Sequence, residues 1–313
     1  MNDRVITPRD DEWPSQLNEL GPARPPKQLF VRGLPLQADR RTIAVVGARY
    51  PTAAGLEAAQ RLSRGLVEAG FAIVSGMALG IDAAAHGAAL EAGGYTVAVL
   101  GCGLDVDYPV RNAPLKKRIA QNGTLVTEYP DGSPPAAFHF PERNRIVAGL
   151  AAGILFVEGG KRSGGRITAR AALDANRAVF AVPGSIRNPM AAGPNELIRV
   201  SQAALVTEVK HICDELEPGL VWDAPVNLGP TRSAVVLDEL EARVLRFLDD
   251  APLGADLICS RLQLKPGGAA VSLSRLEIRG LVAKRRNGYE LTSTGARVRE
   301  SQLAGCSSRP TEP

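Results

Sequence analysis

Short, continuously apolar runs alternate with segments of helical period between residues 41 and 216. Apolar runs without polar alternation indicate strands that are covered on both faces, as in a parallel sheet. The predicted strands are Ile43–Val46, Phe71–Val74, Thr96–Leu100, Thr124–Thr127, Ile154–Val157, Ala178–Val182 and Ala203–Val206. The predicted helices are Thr52–Ala69, Ile81–Ala92, Leu115–Gln121, Asn144–Ala151, the segment after residue 165 with Ile167 on its apolar side, Pro194–Val200 and Glu208–Leu216. Strands and helices in this alternation predict an α/β domain with a doubly wound parallel sheet.

One crossover unit, residues 154–184, has a glycine-rich loop between its strand and its helix. The loop is Gly159, Gly160, Lys161, Arg162, Ser163, Gly164 and Gly165. Free backbone N–H groups and the positive end of the helix dipole meet at such a loop, which favours phosphate binding. A tight turn with solvated cations is the alternative interpretation. Neither a Walker A loop nor a GxGxxG pattern fits these residues, so hydrolysis of nucleoside triphosphates is not indicated.

Several predicted strands end in small residues. Ligands bind at the carboxyl ends of parallel strands, so the loops after residues 46, 74, 100, 127 and 157 should face one another. The first of these loops carries Arg49, and the second carries Ser75 and Gly76. The segment 138–145 adds Arg143 and Arg145 beside two phenylalanines, Phe138 and Phe140. Cations neutralise phosphates and aromatic rings stack on unpaired bases, although either phenylalanine could instead be a core residue.

A second, smaller domain is predicted after a proline-rich linker. Three helical segments, Leu237–Leu248, Ala255–Leu262 and Ala269–Arg279, precede a hairpin signal at Asn287-Gly288. This order is typical of a winged helix, and its wing is basic at Lys284, Arg285 and Arg286. Winged helices bind duplex DNA or protein, and the sequence leaves both open. The predicted organisation is an N-terminal arm (1–40), the α/β domain (41–216), a linker (217–235), the winged helix (236–298) and a mobile tail (299–313).

Composition narrows the class of protein. The 313-residue chain has a net charge of +4 and a pI near 9.0, which is compatible with a polyanion partner. Its four cysteines are far apart and its three histidines are scattered, so we expect no structural metal, and no cofactor is indicated. No apolar run approaches the ~20 residues that cross a bilayer, and the N-terminus lacks a signal-peptide pattern. We therefore expect a cytoplasmic protein without membrane contact.

An ordered set of motifs resembles the DNA-processing protein A (DprA/Smf) family. The motifs are Gly47-Ala48-Arg49 with Gly55, Ser75 to Asp82 with Ala85-His86, Val99 to Asp105 with Tyr108-Pro109, Phe140 to Ile146, Ser163 to Ala169, Ala181 to Gly184, and Gly193 to Ile198. The likeness covers residues 12–216, and the C-terminal winged helix is similar to the one that many members carry.

The resemblance implies an extended Rossmann domain that binds single-stranded DNA as a homodimer. It also implies that the protein protects incoming DNA and loads the RecA recombinase during natural transformation, without a catalytic step. The family's binding elements fall on Arg49, on Arg143 and Arg145, and on Ser163 to Arg166. A cation often follows the family's Tyr-Pro pair directly, whereas here Arg111 follows Val110. The full predicted DNA site is Arg49, Ser75, Gly76, Arg111, Phe140, Arg143, Arg145, Lys161, Arg162, Ser163, Gly164, Gly165 and Arg166, with Lys284, Arg285 and Arg286 as a secondary contact.

An enzyme of the nucleoside-monophosphate phosphoribohydrolase type is the alternative, because the same doubly wound core serves that class. Such an enzyme needs a carboxylate beside the glycosidic bond, and the candidates are Asp82, Asp105, Glu128 and Glu158. Asp82 with His86 could form an acid–base pair or could simply fix a helix start. The PGGxGT loop typical of that class is absent from the glycine-rich loop here, so we expect no enzymatic activity.

Overall fold

The structure is a computed structural model that describes residues 3–20, 24–36, 41–216, 237–248, 253–264, 266–285, 288–292 and 299. The chain divides into two compact units, residues 1–225 and 226–313. The predicted linker at 217–235 and, apart from residue 299, the predicted tail lie outside the described residues. None of the described helices is both long enough and apolar enough to cross a bilayer.

The first unit is built on one sheet that has nine strands in the described residues. They are β1 (Arg4–Ile6), β2 (Leu29–Gly33), β3 (Thr42–Val46), β4 (Ala72–Ser75), β5 (Thr96–Val99), β6 (Thr124–Thr127), β7 (Gly153–Phe156), β8 (Ala178–Ala181) and β9 (Ala204–Leu205). Their order across the sheet is β1-β2-β6-β5-β4-β3-β7-β8-β9, and the pairs from β6 to β9 are all parallel. The predicted doubly wound parallel sheet is confirmed.

Helices cover both faces of this sheet because the strand residues are apolar on both sides. The helices are α1 (Ala53–Glu68), α2 (Ile81–Glu91), α3 (Ala113–Asn122), α4 (His139–Gly149), α5 (Gly164–Asp174), α6 (Ala192–Arg199) and α7 (Val209–Leu216). Helices α4, α5 and α6 bury side chains with Val46, Val74 and Phe156 on one face. Helices α1, α2 and α7 do the same with Ile43 and Ile73 on the other face.

Residues 4–33 contribute two strands to the sheet, whereas the sequence predicts an arm that only packs on the domain. Strand β1 pairs antiparallel with β2, and β2 pairs antiparallel with β6, with Gly33 opposite Thr124. Between the two strands, Leu17 and Leu20 are buried in the core against Gly149 of α4. The prolines around these short strands hide them, because proline breaks the pattern by which a strand is recognised.

Helix α4 begins at His139, five residues before its predicted start at Asn144. Pro141 conceals the first turn, yet proline is tolerated there because the first N–H groups of a helix have no intrahelical acceptor. Phe140, Arg143 and Arg145 therefore project from a helix and not from a loop. Their directions are fixed by helical geometry, which decides what each one can reach.

The order of strands creates a crevice beside β3. The chain runs from β3 through β4 and β5 to β6 on one side, then returns to β7 on the other side of β3. The loops after β3 and β7 leave the sheet in opposite directions at this point, which is where open α/β sheets bind ligands.

The second unit has the arrangement predicted for a winged helix. It contains α8 (Glu239–Phe247), α9 (Ala255–Leu262), α10 (Pro266–Ile278) and the hairpin of β10 (Val282–Arg285) with β11 (Gly288–Leu291). Asp238 and Glu241 form a capping box at the start of α8. Val244, Ile258 and Leu273, one from each helix, meet in its buried core.

Candidate nucleic-acid interface

A cleft of about 640 Å3 opens at the crevice beside β3. We call it the switch-point cleft, because it lies where successive strands change from one side of β3 to the other. Its walls come from the loops after β3, β4 and β7 and from the outer side of α4. It is lined by Val46, Gly47, Ala48, Arg49, Tyr50, Gly76, Ala78, Asp82, Ala137, Phe140, Pro141, Arg143, Asn144, Val147, Gly160, Arg162, Ser163, Gly164, Gly165, Ile167, Thr168 and Met190. Three of the five predicted strand-end loops, those after residues 46, 74 and 157, thus meet at this cleft, whereas the loop after residue 100 lines a smaller neighbouring cavity and the loop after residue 127 lines neither. The cleft lining contains three arginines and one carboxylate.

Arg49 and Phe140 form the aromatic and cationic side of the cleft. The Arg49 guanidinium lies 5.5 Å from the centre of the Phe140 ring. The ring of Tyr108 lies 5.4 Å from that of Phe140 on a smaller cavity of about 110 Å3. Arg49 is exposed and Phe140 is partly exposed, so both planes are accessible to a base or a phosphate.

Close backbone approach brings the loops after β3 and β4 together at Gly80. Its φ is +79°, and a Cβ there would collide with the carbonyl oxygen of Ala48. Only glycine accommodates both conditions. The start of α2 is therefore pressed against the loop that carries Arg49.

The glycine-rich loop leads directly into α5. Ser163 occupies the N-cap position, but its side chain accepts no capping hydrogen bond, and its Oγ is buried without a hydrogen-bond partner in the described protein. Gly165 in the first turn is buried against Phe156, where a Cβ would lie 2.5 Å from the ring. The N-terminus of α5 therefore borders the cleft with its backbone N–H groups, which suit an anion, whereas the buried Ser163 hydroxyl is not accessible from the cleft.

Arg143 lines the cleft, but it is 5% exposed and its hydrogen bonds hold the backbone of the site together. It is buried, and its Nη1 donates hydrogen bonds to the carbonyl oxygens of Gly76 (2.6 Å) and Val99. Burial lowers the pKa of Arg143 to about 10, while the nearby charge of Asp82 acts in the opposite direction. Arg143 is predicted to contact a phosphate. In the structure its guanidinium instead ties the ends of β4 and β5 to α4.

Asp82 completes this buried arrangement from the start of α2. Its Oδ2 accepts hydrogen bonds from the N–H groups of Gly76 (3.1 Å) and Ala78 (3.3 Å). Burial raises the pKa of the Asp82 carboxyl, against the influence of Arg143 and of these hydrogen bonds. Gly76, one of the predicted contact residues, is therefore fixed through both its N–H and its carbonyl group.

Arg145 and Ser75 are also predicted to contact DNA, but in the structure both side chains bind other groups of the protein. Arg145 donates from Nη2 to both carboxylate oxygens of Glu128, at 2.7 and 2.6 Å, and both side chains are about four-fifths buried. This ion pair neutralises Arg145. Ser75 is fully buried, and its hydroxyl donates to the carbonyl oxygen of Val45 at 2.6 Å. Neither side chain lines the cleft.

The remaining predicted cations lie around the cleft. Arg162 is exposed on its wall, whereas Lys161 and Arg166 lie outside it on the far side of the glycine-rich loop. Arg111 is exposed in a short 3-10 turn and lines neither the cleft nor the smaller cavity. Sequence reasoning does not single out Tyr50, which is 82% exposed beside Arg49, or the stacking of Tyr108 on Phe140. The adjacency of Tyr50 to Arg49 is the signal that could have found the first.

The wing and the third helix of the second unit differ in chemistry. Lys284 on β10 lies 5.9 Å from the centre of the Tyr289 ring, Arg285 is the last residue of β10, and Arg286 lies outside the described residues. On α10, Arg275 pairs with Asp238 at 3.3 Å. Just after α10, Arg279 pairs at 2.9 Å with Glu241, which is 1% exposed. These two cations are neutralised.

The carboxylates considered for glycosidic hydrolysis are engaged in local hydrogen bonds. Glu158 accepts from the N–H and hydroxyl of Thr52, at 2.8 and 2.7 Å, and from Asn188 at 3.0 Å. Asp105 accepts from the N–H of Gly132 at 2.9 Å. Glu128 pairs with Arg145 and Asp82 with backbone, as described above.

His86 is bonded away from Asp82. Its Nδ1 lies 2.7 Å from the hydroxyl of Thr96, and its ring is fully buried. Burial, reinforced by the charge of Arg143, lowers the pKa of His86 to about 3. A neutral ring in this position is a core residue, which agrees with the structural alternative for the Asp82–His86 spacing.

Comparison with known proteins identifies the family. The family model for DNA recombination-mediator protein A matches residues 4–217, and the model for the DprA winged helix domain matches residues 229–288. The chain belongs to the DprA/Smf family. The resemblance seen in the sequence motifs is thereby confirmed.

Members of the DprA/Smf family are similar along most of the chain. Protein Smf of Escherichia coli K12 is 38% identical over 304 residues, which is 95% of this chain and 80% of that protein. The putative DNA processing protein DprA of Mycobacterium tuberculosis H37Rv is 39% identical over 315 residues, covering 94% and 78%.

Two solved DprA structures share the fold of the first unit. DprA of Streptococcus pneumoniae is 40% identical, with a TM-score of 0.65 over 69% of this chain and 75% of that one. DprA of Helicobacter pylori, described as having a unique single-stranded DNA binding mode, is 29% identical, with a TM-score of 0.62 over 69% and 96%.

Proposed function

We propose that this protein processes DNA by binding single strands in the switch-point cleft. The observation that carries the proposal is the pairing of Arg49 with Phe140 opposite the N-terminus of α5. An exposed cation over an aromatic ring is suited to a nucleotide, since phosphate and base can be held side by side. Neither Arg49 nor Arg162 forms an ion pair with a described residue. The single-stranded DNA binding described for the Helicobacter pylori relative supports the same class of ligand.

The geometry supports recognition of the backbone and of base planes, not of base identity. Phosphates would lie against the first turn of α5, near Ser163 and Arg162, and against Arg49. A base would stack on Phe140 beside Tyr108. Stacking tolerates every base because each has a π-face, so we expect little sequence preference.

The finer proposal follows the description of the family as a recombination mediator. We infer that the protein acts in the cytoplasm as a homodimer, protects incoming strands during natural transformation and loads the RecA recombinase. We also infer that it does so without a catalytic step. The hydrogen bonds that engage Asp82, Asp105, Glu128 and Glu158 support this last point, because a catalytic carboxylate must be able to reach its substrate.

For the winged helix, we propose duplex contact through the wing alone. Lys284 supplies a cation there, whereas Arg275 and Arg279 are paired with carboxylates, and the exposed side of α10 carries the apolar Val271 and Ile278 beside Ser274 and Glu277. A helix that reads bases needs donors and acceptors on its exposed side. Contact by the wing would position a duplex without reading its sequence.

The test is oligothymidine binding, followed by fluorescence anisotropy at several salt concentrations. Arg49→Ala should flatten the slope of log K against log salt by about 0.7, the value for one phosphate contact on a single strand. Arg64→Ala is the matched control, since Arg64 is a half-exposed arginine on α1, at the other face of the sheet. An unchanged slope in Arg49→Ala would contradict the proposed site.

The rival activity needs its own test. Nucleoside monophosphates, ATP and DNA should remain intact after incubation with the protein. Release of free base from a monophosphate, abolished in Glu158→Gln or Asp82→Asn, would instead establish a phosphoribohydrolase.

A further inference from the structure

A second groove runs along the outward side of α5. We call it the outer groove. It has a volume of about 520 Å3 and is lined by Lys161, Arg162, Ser163, Arg166, Ile167, Arg170, Ala171 and Asp174. Three of these residues, Arg162, Ser163 and Ile167, also line the switch-point cleft. The two spaces therefore adjoin each other at the glycine-rich loop and the first turn of α5.

Cations recur along the outer groove at a spacing of four residues. Arg166 and Arg170 are four residues apart on α5 and therefore lie on the same side of the helix, while Arg162 precedes the helix in the loop. Each step of four residues advances about 6 Å along the helix axis. The Nη1 of Arg166 donates to the carbonyl oxygen of Lys161 at 3.1 Å, which fixes the side chain and leaves its charge intact.

The positive charge of the glycine-rich loop also acts on a residue of α6. The pKa of Glu196 on α6 is lowered chiefly by a hydrogen bond from Arg199, with Lys161 and Arg166 contributing through their charges. The loop end of the groove therefore favours an anionic group.

An apolar side chain lies between the cations. Ile167 is 46% exposed, although its place in the helical pattern predicts a position on the buried side of α5. The buried residues of α5 are instead Gly165, Thr168, Ala169 and Ala172. A surface with cations at regular intervals and an exposed apolar side chain between them suits a strand that presents phosphates and unpaired bases together.

The groove ends at a carboxylate. Asp174 forms an ion pair with Arg170, four residues earlier; Oδ1 lies 2.9 Å from Nε, and the Arg170 side chain is 69% exposed. Arg170 is thus partly neutralised at the far end, whereas no described carboxylate pairs with Lys161, Arg162 or Arg166. The positive charge that a strand meets decreases from the loop to the end of α5.

We propose that a single strand leaving the switch-point cleft continues along the outer groove, with its phosphates against Arg162, Arg166 and Arg170. The proposal depends on the proposed function, because it extends the same binding site. It assigns a nucleic-acid contact to Arg170, which no sequence motif indicates. Helix α5 would then bind several nucleotides of the strand beyond the cleft.

The experiment compares oligothymidines of two lengths, about six and about twenty nucleotides. Only the longer one can fill both spaces. Arg170→Ala should flatten the salt slope for the long strand by about 0.7, which lowers its affinity about fivefold at about 0.1 M salt if the two proteins bind equally at about 1 M. The short strand should bind as to the unsubstituted protein. Asp174→Asn should strengthen binding of the long strand alone, since it releases Arg170, and Arg170→Lys should largely restore the salt slope.

The controls separate this inference from the proposed function. Arg64→Ala should leave both lengths unchanged, and Arg49→Ala should weaken both. Suppose that Arg49→Ala weakens the binding of both oligothymidines, but Arg170→Ala affects the binding of neither or of both equally. The outer groove then does not bind the strand that leaves the cleft. If Arg49→Ala affects neither length, the cleft itself is not the binding site and the proposed function fails.

Discussion

The buried histidine on α2 should make the first unit sensitive to mild acid. Thr96 donates its hydroxyl proton to the carbonyl oxygen of Ile73 at 2.8 Å, so Nδ1 of His86 must donate to Thr96. The proton is thus on Nδ1, and Nε2 is buried without a hydrogen-bond partner in the described protein. A second proton on Nε2 would place a charge in the core, close to Arg143. This arrangement is why the pKa of His86 is lowered to about 3.

The sign and size of the effect follow from linkage. In the unfolded chain His86 takes up its proton near its ordinary pKa of about 6.5, whereas in the folded chain it does so only near 3. The stability from neutral His86 is therefore fully present above about pH 6.5 and is lost as the pH falls toward 3. Each pH unit inside this window changes the free energy of unfolding by about 1.4 kcal/mol. Between about pH 6.5 and 4.5 the loss amounts to about 2 kcal/mol, because the unfolded-state His86 is already half protonated at its ordinary pKa.

The carboxyl groups with shifted pKa values do not lower the stability in the same pH range as His86. The raised pKa of Asp82 acts with the opposite sign, since a folded state that binds the proton more readily gains stability as the pH falls. The lowered pKa values of Glu12 and Asp3 lose stability only below their ordinary values of 4.5 and 3.8. The contribution of His86 is therefore isolated from that of Asp82 by comparing His86→Gln with a control variant in which Asp82 is unchanged.

The assay is urea unfolding at about pH 6.5, 5.5 and 4.5. The chain has two tryptophans, so Trp222→Phe leaves Trp13, which is buried in the first unit, as the reporter. His86→Gln should flatten the dependence on pH whatever its effect on absolute stability. His211→Gln is the matched control, because His211 is part-exposed and pairs with Glu208 at 3.3 Å. A dependence as steep in His86→Gln as in His211→Gln would refute the reasoning.

Three further predictions concern charges and domains. Glu128→Gln should release Arg145 and steepen the salt slope of oligothymidine binding in anisotropy titrations; an unchanged slope would show that Arg145 stays out of reach. Arg143→Met should lower the free energy of unfolding in urea by about 3–5 kcal/mol, because Asp82 and two carbonyl groups lose their buried partner, and a loss below about 1 kcal/mol would contradict this. Truncation after residue 225 should preserve oligothymidine affinity and weaken duplex binding in filter assays; equal losses would make the winged helix a general DNA contact, and no loss would make it a protein-interaction module.

The parallel strands were predictable because burial on both faces leaves a local signature. Strand β6 begins and ends at its predicted residues, and β3 differs by one residue. Strand β2 was not predictable in the same way, since Leu29–Val31 is too short to show a period and stands among prolines. Its place depends on pairing with β6, which is distant in the sequence.

The position of the candidate site in the fold was predictable from the sequence, but only some of the side chains that line it were. Glycine loops after strands indicate where a ligand binds, so Arg49 and the start of α5 could be placed from local sequence. Arg143 and Arg145 look alike in the sequence and stand two residues apart. Their partners, the Gly76 carbonyl and Glu128, come from other strands, so only the fold distinguishes a buried cation from a paired one.

The antiparallel strand β2 has a consequence for synthesis on the ribosome. Gly33 pairs with Thr124, so β2 emerges roughly 90 residues before the strand that it must join. During that interval β2 can pair only with β1, and the edge that it later presents to β6 stays unpaired. Strands β1 and β2, although made first, can therefore join the sheet only once β6 has been made.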